Sequence, residues 1–196
     1  MSKFLVSWLF LLGLKGAWAF EKLDSNYHIS YGNPAAETQI IEYFSMSCAK
    51  CFEFFENDFS VIKSKYIERG EVFWVFHPDP ADLLTLQLMA CLEHLQKPQK
   101  VLFFEAVLKH LREKKYKHGA IIMQAAMEVL GHPLPDLGEM KFLEKTDAFK
   151  NAFSFLKQED GITSIPTVEI NQVRYESYPT RELLEKEILS LKKRKP

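Results

Sequence analysis

Two cysteines three positions apart, Cys48 and Cys51 in "EYFSMSCAKCFEFF" (residues 42 to 55), are the side chains of this chain best suited to chemistry. Three readings fit the pair: a redox couple, half of a metal site, or two buried thiols. A step of three places the second thiol about one helical turn beyond the first, close enough to close a small disulfide ring. At a helix start, unpaired backbone N–H groups and the helix dipole stabilise a thiolate, drawing the first cysteine below its free value of about 8.5. Cys48 is then the exposed nucleophile and Cys51 the resolving thiol. The chemistry is thiolate attack on a disulfide through a mixed disulfide, which needs no cofactor. Structural zinc takes four ligands, and no second CxxC or close HxxxH follows here. His77 and Cys91 could complete such a site only by tertiary accident. Copper(I) or zinc held by two soft thiolates stays open as the alternative, with Met46 as the local thioether.

Two further positions bear on the pair. Glu42 lies six residues before Cys48 inside an apolar strand, where a carboxylate is costly unless it has a use. With Ile41 and Tyr43 on the other face, Glu42 can point under the helix toward Cys51 and exchange a proton with the inner thiol. The alternative is a sheet-edge carboxylate facing water. In "TSIPT" (163 to 167), Pro166 precedes a β-branched run and cannot donate to a central ladder, so it marks a strand start or a special turn. A cis Ile165–Pro166 bond would expose neighbouring backbone to a substrate peptide. Met46 and Phe52 flank the cysteines and offer an apolar docking surface.

The elements that must position these residues follow from pattern. "TQIIEYFS" (Thr38 to Ser45) and "EVFWVFHP" read as buried strands, joined by a helix from about Cys48 to Gly70 that Ser45 and Ser47 can cap. The residues before them, Glu21 to Ser30, read as a polar lead. From Ala81 to Glu159 the periodicity turns helical, in four segments broken at Pro98, at His118-Gly119 and in "GHPLPDLG". After Gly161, "IPTVEI" and "QVRYESY" read as strands around an Asn171-Gln172 turn, and "TRELLEKEILSLKK" as an amphipathic helix capped by Thr180. Cys91, among apolar residues at helical spacing, reads as a buried free thiol. His28, His77, His94, His110, His118 and His132 show no ligand spacing, and none is assigned a role.

Bulk composition bounds the rest. A chain of 196 residues, 47% hydrophobic and 26% charged, suits one medium-sized globular domain. A formal net charge of −1 leaves no basic excess for a nucleic-acid partner. The terminal "KKRK" (192 to 195) reads as a solvated helix end. At the other terminus, Lys3, the apolar run Phe4 to Leu14 and Ala17-Trp18-Ala19 form a secretory signal-peptide pattern with cleavage after Ala19. The alternative is an uncleaved N-terminal anchor. Export to an oxidising compartment favours redox use of the cysteines, and three cysteines suggest a working pair plus a bystander.

Glu42, Cys48-Ala49-Lys50-Cys51 and Ile165-Pro166-Thr167, in this order, resemble the thioredoxin superfamily. The long helical stretch between the second strand and the proline, with the signal peptide, resembles its DsbA-like branch of exported thiol–disulfide oxidoreductases. "GITSIPTVEIN" and "LMACLEHLQKPQKVLFFEAVL" are similar to that branch's proline segment and helix pair. The resemblance implies an α/β thioredoxin fold with an inserted helical subdomain: core about 27–80 and 160–196, insertion about 81–159, all within one domain of residues 20–196. It implies nucleophile Cys48, resolving thiol Cys51, proton-relay acid Glu42, and substrate docking at Ile165 and Pro166. The implied activity is oxidation of cysteine pairs in exported, periplasmic proteins, with a membrane redox partner (a DsbB-like oxidase, or a reductant if the chain runs as a reductase or isomerase). Where the best-known oxidases carry Pro-His and thioredoxins Gly-Pro, this chain carries Ala49-Lys50. Lys50 can stand in for the histidine as a cation that favours the reduced form and makes the pair more oxidising. Non-catalytic peptide binding is a further alternative.

Overall fold

The computed structural model describes residues 26–79, 82–113, 118–131, 145–156 and 162–192. The expected signal peptide and its cleavage site lie outside them, as does most of the terminal basic run. Among the described residues no helix is long and apolar enough to cross a membrane.

Five strands form one mixed sheet in the order β1-β3-β2-β4-β5. Its centre is the parallel pair β2 (Thr38–Phe44) and β3 (Val72–Pro78), in register from Thr38 opposite Val72 to Phe44 opposite Pro78. Every residue of β3 is buried, as the unbroken apolar run "VFWVFHP" requires of a strand covered on both faces. β4 (Thr167–Ile170) and β5 (Val173–Tyr175) form a hairpin that pairs antiparallel with β2. Their turn residues Asn171 and Gln172 both have positive φ, 46° and 74°, the backbone of a tight two-residue hairpin.

β1 (Ile29–Tyr31) corrects the reading of a polar lead through Ser30. It runs antiparallel to β3, pairing Ile29 with Phe76 and Tyr31 with Trp74. Only three residues long, with His28 just before it and Ser30 at its centre, it is held by a partner more than forty positions away, so local pattern gives little sign of it. Gly32 follows at φ +89°, where a Cβ would come within 2.5 Å of the Val72 carbonyl, so the exit from β1 requires glycine.

Helix α1 leaves β2 through a short loop. It begins as Ala49–Phe54 and continues through π-helical turns at Phe55–Phe59 and Lys63–Ile67, with Ser60–Ile62 between them. Gly70, at φ +72°, follows it before β3. The cap differs from expectation: Cys48 itself is the N-cap, and its Sγ accepts the Cys51 N–H at 3.2 Å. The Ser45 hydroxyl points elsewhere, toward the helical subdomain.

That subdomain is inserted between β3 and β4 and contains α2 (Leu83–Leu92), α3 (Lys97–Glu113), α4 (His118–Leu130) and α5 (Asp147–Leu156). The first part of the fourth helical segment predicted from sequence, 137–144, is outside the described residues. Pro98 sits in the first turn of α3, where its missing N–H costs no helical bond. α2 is buried from Leu84 to Leu92, including Cys91, so it is the interior helix of the insertion. Helix α6 (Arg181–Lys192) closes the fold, with the Leu183 N–H bound to Thr180 Oγ1 at 3.3 Å.

Aromatic packing joins insertion to sheet. Phe104 of α3 is almost fully buried, with ring centroids 5.2 Å from Phe76, 5.3 Å from Phe44 and 5.8 Å from Phe55. One side chain thus touches both central strands and the helix that carries the cysteines. Phe104→Ala should lower unfolding stability by about 3–5 kcal/mol, the usual range for emptying a buried phenylalanine site. Denaturant titration followed by tryptophan fluorescence checks it; a loss below about 1 kcal/mol would show that the insertion does not depend on this ring.

Candidate active site

Cys48 and Cys51 form a disulfide, with Cα atoms 5.3 Å apart. Cys48 is half-buried at the helix start, in extended conformation at φ −84° and ψ 105°, and Cys51 is buried one turn inside. Ala49 and Lys50, between them, are exposed. The outer sulfur is therefore the one an incoming thiolate can reach. The Cys51 N–H, in the first turn of α1, donates to that sulfur and favours negative charge there once the disulfide opens.

Glu42 lies beneath the pair. It belongs to β2, the middle strand of the sheet, opposite Phe76 on one side and Val168 on the other, so the sheet-edge alternative does not hold. It is 1% exposed. Burial pushes its carboxyl well above the usual range, and the Trp74 indole N–H pulls weakly the other way. Oε1 accepts a hydrogen bond from the Tyr178 hydroxyl. Glu42 and Cys51 line one small cavity together with Met46, Phe52, Phe55 and Phe104, with room for about one water molecule. The acid and the buried sulfur thus face the same space.

Met46 corrects the expected docking surface. It is 3% exposed and belongs to the main core, so it lines the cavity from inside rather than the surface around Cys48. Phe52 is half-buried and packs against the same core. The Ile165–Pro166 bond is cis. Because Thr167 pairs with Tyr43, Pro166 comes next to the end of β2 from which the cysteine loop departs. Ile165 is half-buried and Pro166 buried. Cys91 is a buried free thiol whose titration burial pushes far up, consistent with a structural role. Among the described residues, no three His, Cys, Asp or Glu side chains cluster as metal ligands.

Sequence reasoning missed how the loop before Cys48 is held. Asp82 caps α2, accepting the Thr85 N–H at 2.9 Å, and also accepts from the Thr85 and Ser45 hydroxyls. Thr85 Oγ1 in turn accepts the Met46 N–H at 2.7 Å, and the Ser47 N–H reaches Ser45 Oγ at 3.2 Å. Ser45, Met46 and Ser47, the whole bridge from β2 to Cys48, are thereby fastened to the first turn of the inserted subdomain. Burial pushes the Asp82 carboxyl up, but donors from Ser45, Thr85 and Ser47 outweigh it and hold it below the usual carboxyl range. An aspartate just ahead of the apolar run "LLTLQLMA" is a readable helix cap; its reach to Ser45 is not. Tyr178 and Trp74 were missed as well, and nothing in their local sequence ties them to Glu42.

Known proteins agree with this architecture. The thioredoxin family model matches residues 24–189. Similar solved structures include α-DsbA1 of Wolbachia pipientis (21% identity, TM-score 0.67, covering 86% of this chain and 92% of that one). DsbA of Chlamydia trachomatis shares 18% identity at a TM-score of 0.62, over 86% of this chain and 93% of its own. A periplasmic thioredoxin-like protein from Salmonella enterica serovar Typhimurium shares 13% identity at a TM-score of 0.61, over 89% and 96%. A comparison with curated protein sequences finds no match. The sheet order, the helical insertion and the disulfide at the start of the helix after the central strand give this chain the fold of those DsbA structures, and the span of the family match shows that it belongs to the thioredoxin family.

Proposed function

We propose that this thioredoxin-family thiol–disulfide oxidoreductase works as an oxidase, introducing disulfides into cysteine-containing proteins outside the cytoplasm. The observation that carries the proposal is the Cys48–Cys51 disulfide, with its outer sulfur at a helix N-terminus and its inner sulfur sharing a cavity with the buried Glu42. A substrate thiolate attacks Cys48 Sγ; the Cys48–Cys51 bond breaks and Cys51 leaves as a thiolate. Glu42, whose raised titration keeps it protonated, supplies the proton that neutralises Cys51. A second substrate thiolate then attacks the substrate sulfur of the mixed disulfide, and Cys48 leaves as a thiolate stabilised by the helix start. The substrate has lost two electrons and the pair has gained them. A membrane oxidase partner takes them back and restores the disulfide. Ile165 and Pro166 are the proposed docking edge for the substrate peptide, beside the end of β2, and Phe52 flanks it.

Export is supported by the N-terminal charged, apolar and small-residue pattern and by likeness to a periplasmic protein. Processed protein isolated from the exporting cell should begin at Phe20, and N-terminal sequencing that found Met1 would instead indicate an anchor.

Purified disulfide-form protein should oxidise a reduced two-cysteine test peptide with loss of its own disulfide, and Cys48→Ala should fall to the uncatalysed background. Cys51→Ala, expressed in the exporting cell, should accumulate mixed disulfides through Cys48. A pair more reducing than the surrounding thiol pool and inactive on the peptide would assign the reductase direction, and stoichiometric copper or zinc without peptide oxidation would assign the metal alternative.

Glu42 also gives a stability prediction whose sign follows from its surroundings. Its folded-state titration lies above the ordinary value of 4.5, so the folded protein binds more protons than the unfolded chain above that pH. Stability then falls as pH rises from 4.5 toward the folded value. Glu42→Gln should therefore unfold at a higher temperature than the wild type at pH 8, with the gap closing toward pH 4. Equal melting curves at both pH values would mean that Glu42 is not held protonated by burial.

A further inference from the structure

We propose that Tyr178 is a positioning residue for the redox centre: its hydroxyl, donated to Glu42 and held by ring stacking on the cysteine helix, sets where the buried carboxyl releases its proton. The inference rests on the reading of Glu42 as the proton carrier and adds the group that adjusts it.

The geometry is an aromatic cluster. Phe54, three residues after Cys51 on α1, stacks with two rings nearly parallel to its own. Tyr178 stacks at 4.3 Å and 15°, and Trp74 at 5.5 Å and 17°. Both outer rings carry a polar hydrogen, and both meet Glu42. The Tyr178 hydroxyl donates to Oε1, and the Trp74 indole N–H lies beside the carboxyl without completing a regular hydrogen bond. The second carboxyl oxygen, Oε2, is buried without a hydrogen-bond partner. Tyr178 is anchored by its chain position, two residues before the Thr180 cap of α6 and next to the buried Pro179.

Among the described residues, nothing else near the carboxyl supplies charge. The strand residues opposite Glu42, Phe76 and Val168, are apolar, and no ion pair among the described residues includes it. The titratable groups facing it are Cys51 of α1 across the cavity, Tyr31 of β1, and Tyr178 itself. α3 presents only the apolar Phe104 and Leu108 to the cavity. A buried carboxyl without a cation holds its proton strongly. Neutral donors favour the charged form and let the proton leave nearer the working pH. Of the two beside Glu42, the Trp74 indole and the Tyr178 phenol, Tyr178 is the one that completes a hydrogen bond to the carboxyl.

Tyr178→Phe removes the hydroxyl and keeps the ring stack, so the fold is retained; unchanged circular dichroism and melting temperature at pH 4 serve as the control. The decisive measurement is a carbon-13 NMR titration of the Glu42 carboxyl in the reduced protein, with Glu42→Gln assigning the resonance. The midpoint in Tyr178→Phe should rise on the order of one pH unit, the shift produced by losing one hydrogen bond to a charged group. The pH profile of single-turnover peptide oxidation should move with it. A midpoint that stays or falls overturns the role of Tyr178. A midpoint that rises while the oxidation profile stays in place supports the Tyr178–Glu42 coupling and overturns the proton-carrier reading of Glu42.

Discussion

A carboxyl group, Glu42, is buried in the central strand and shares a cavity with the inner cysteine of the pair, and the packing around the site follows from it. Sequestering an acid from water is unfavourable; burial pushes the Glu42 carboxyl well above the usual range, and no ion pair among the described residues includes it. Its surroundings are consistent with that shift. The neighbouring strands present Phe76 and Val168, α3 presents Phe104 and Leu108, and the nearby donors are a phenol and an indole. In the proposed oxidation, a neutral acid facing the inner sulfur gives a proton to the departing Cys51 thiolate, whereas an anion there would repel it.

The inserted helices do more than enlarge the domain. Through Phe104 they fill the space between both central strands and the cysteine helix. Through Asp82 and Thr85 they fix the three residues between β2 and Cys48. The redox helix is thus supported on one side by the sheet and on the other by the insertion, and its first turn is not free to drift. In place of a proline between the cysteines, the extended backbone of Cys48 and the bond from the Cys51 N–H to its sulfur shape the helix start.

Much of this was legible in the linear chain because the signals are local. A CxxC followed by helical spacing, an acid inside an apolar β run, a proline ahead of a β-branched strand and an Asn-Gln turn each act over a few residues, and each appears where its pattern put it. The differences share a cause. β1 carries too little period in three residues to register, and its stability comes from pairing with β3. Local sequence offers Ser45 and Ser47 as caps for the helix beside them, but Asp82, 37 positions beyond Ser45, claims the Ser45 hydroxyl. Met46 adjoins the half-buried Cys48 in sequence, but it is 3% exposed and belongs to the core.

Residue type and short-range period specify the cysteine pair, the strand–helix–strand unit that presents it, the acid six residues upstream and the helical insertion. What surrounds that acid is set by long-range packing. Tyr178 is 136 positions away from Glu42, and Trp74 reaches it from the neighbouring strand. Their stacking on Phe54 depends on strand order and helix placement that no local window contains. Proton affinity in a protein interior is a property of the assembled environment, so the group's identity is written in the chain while its chemistry is set by the fold.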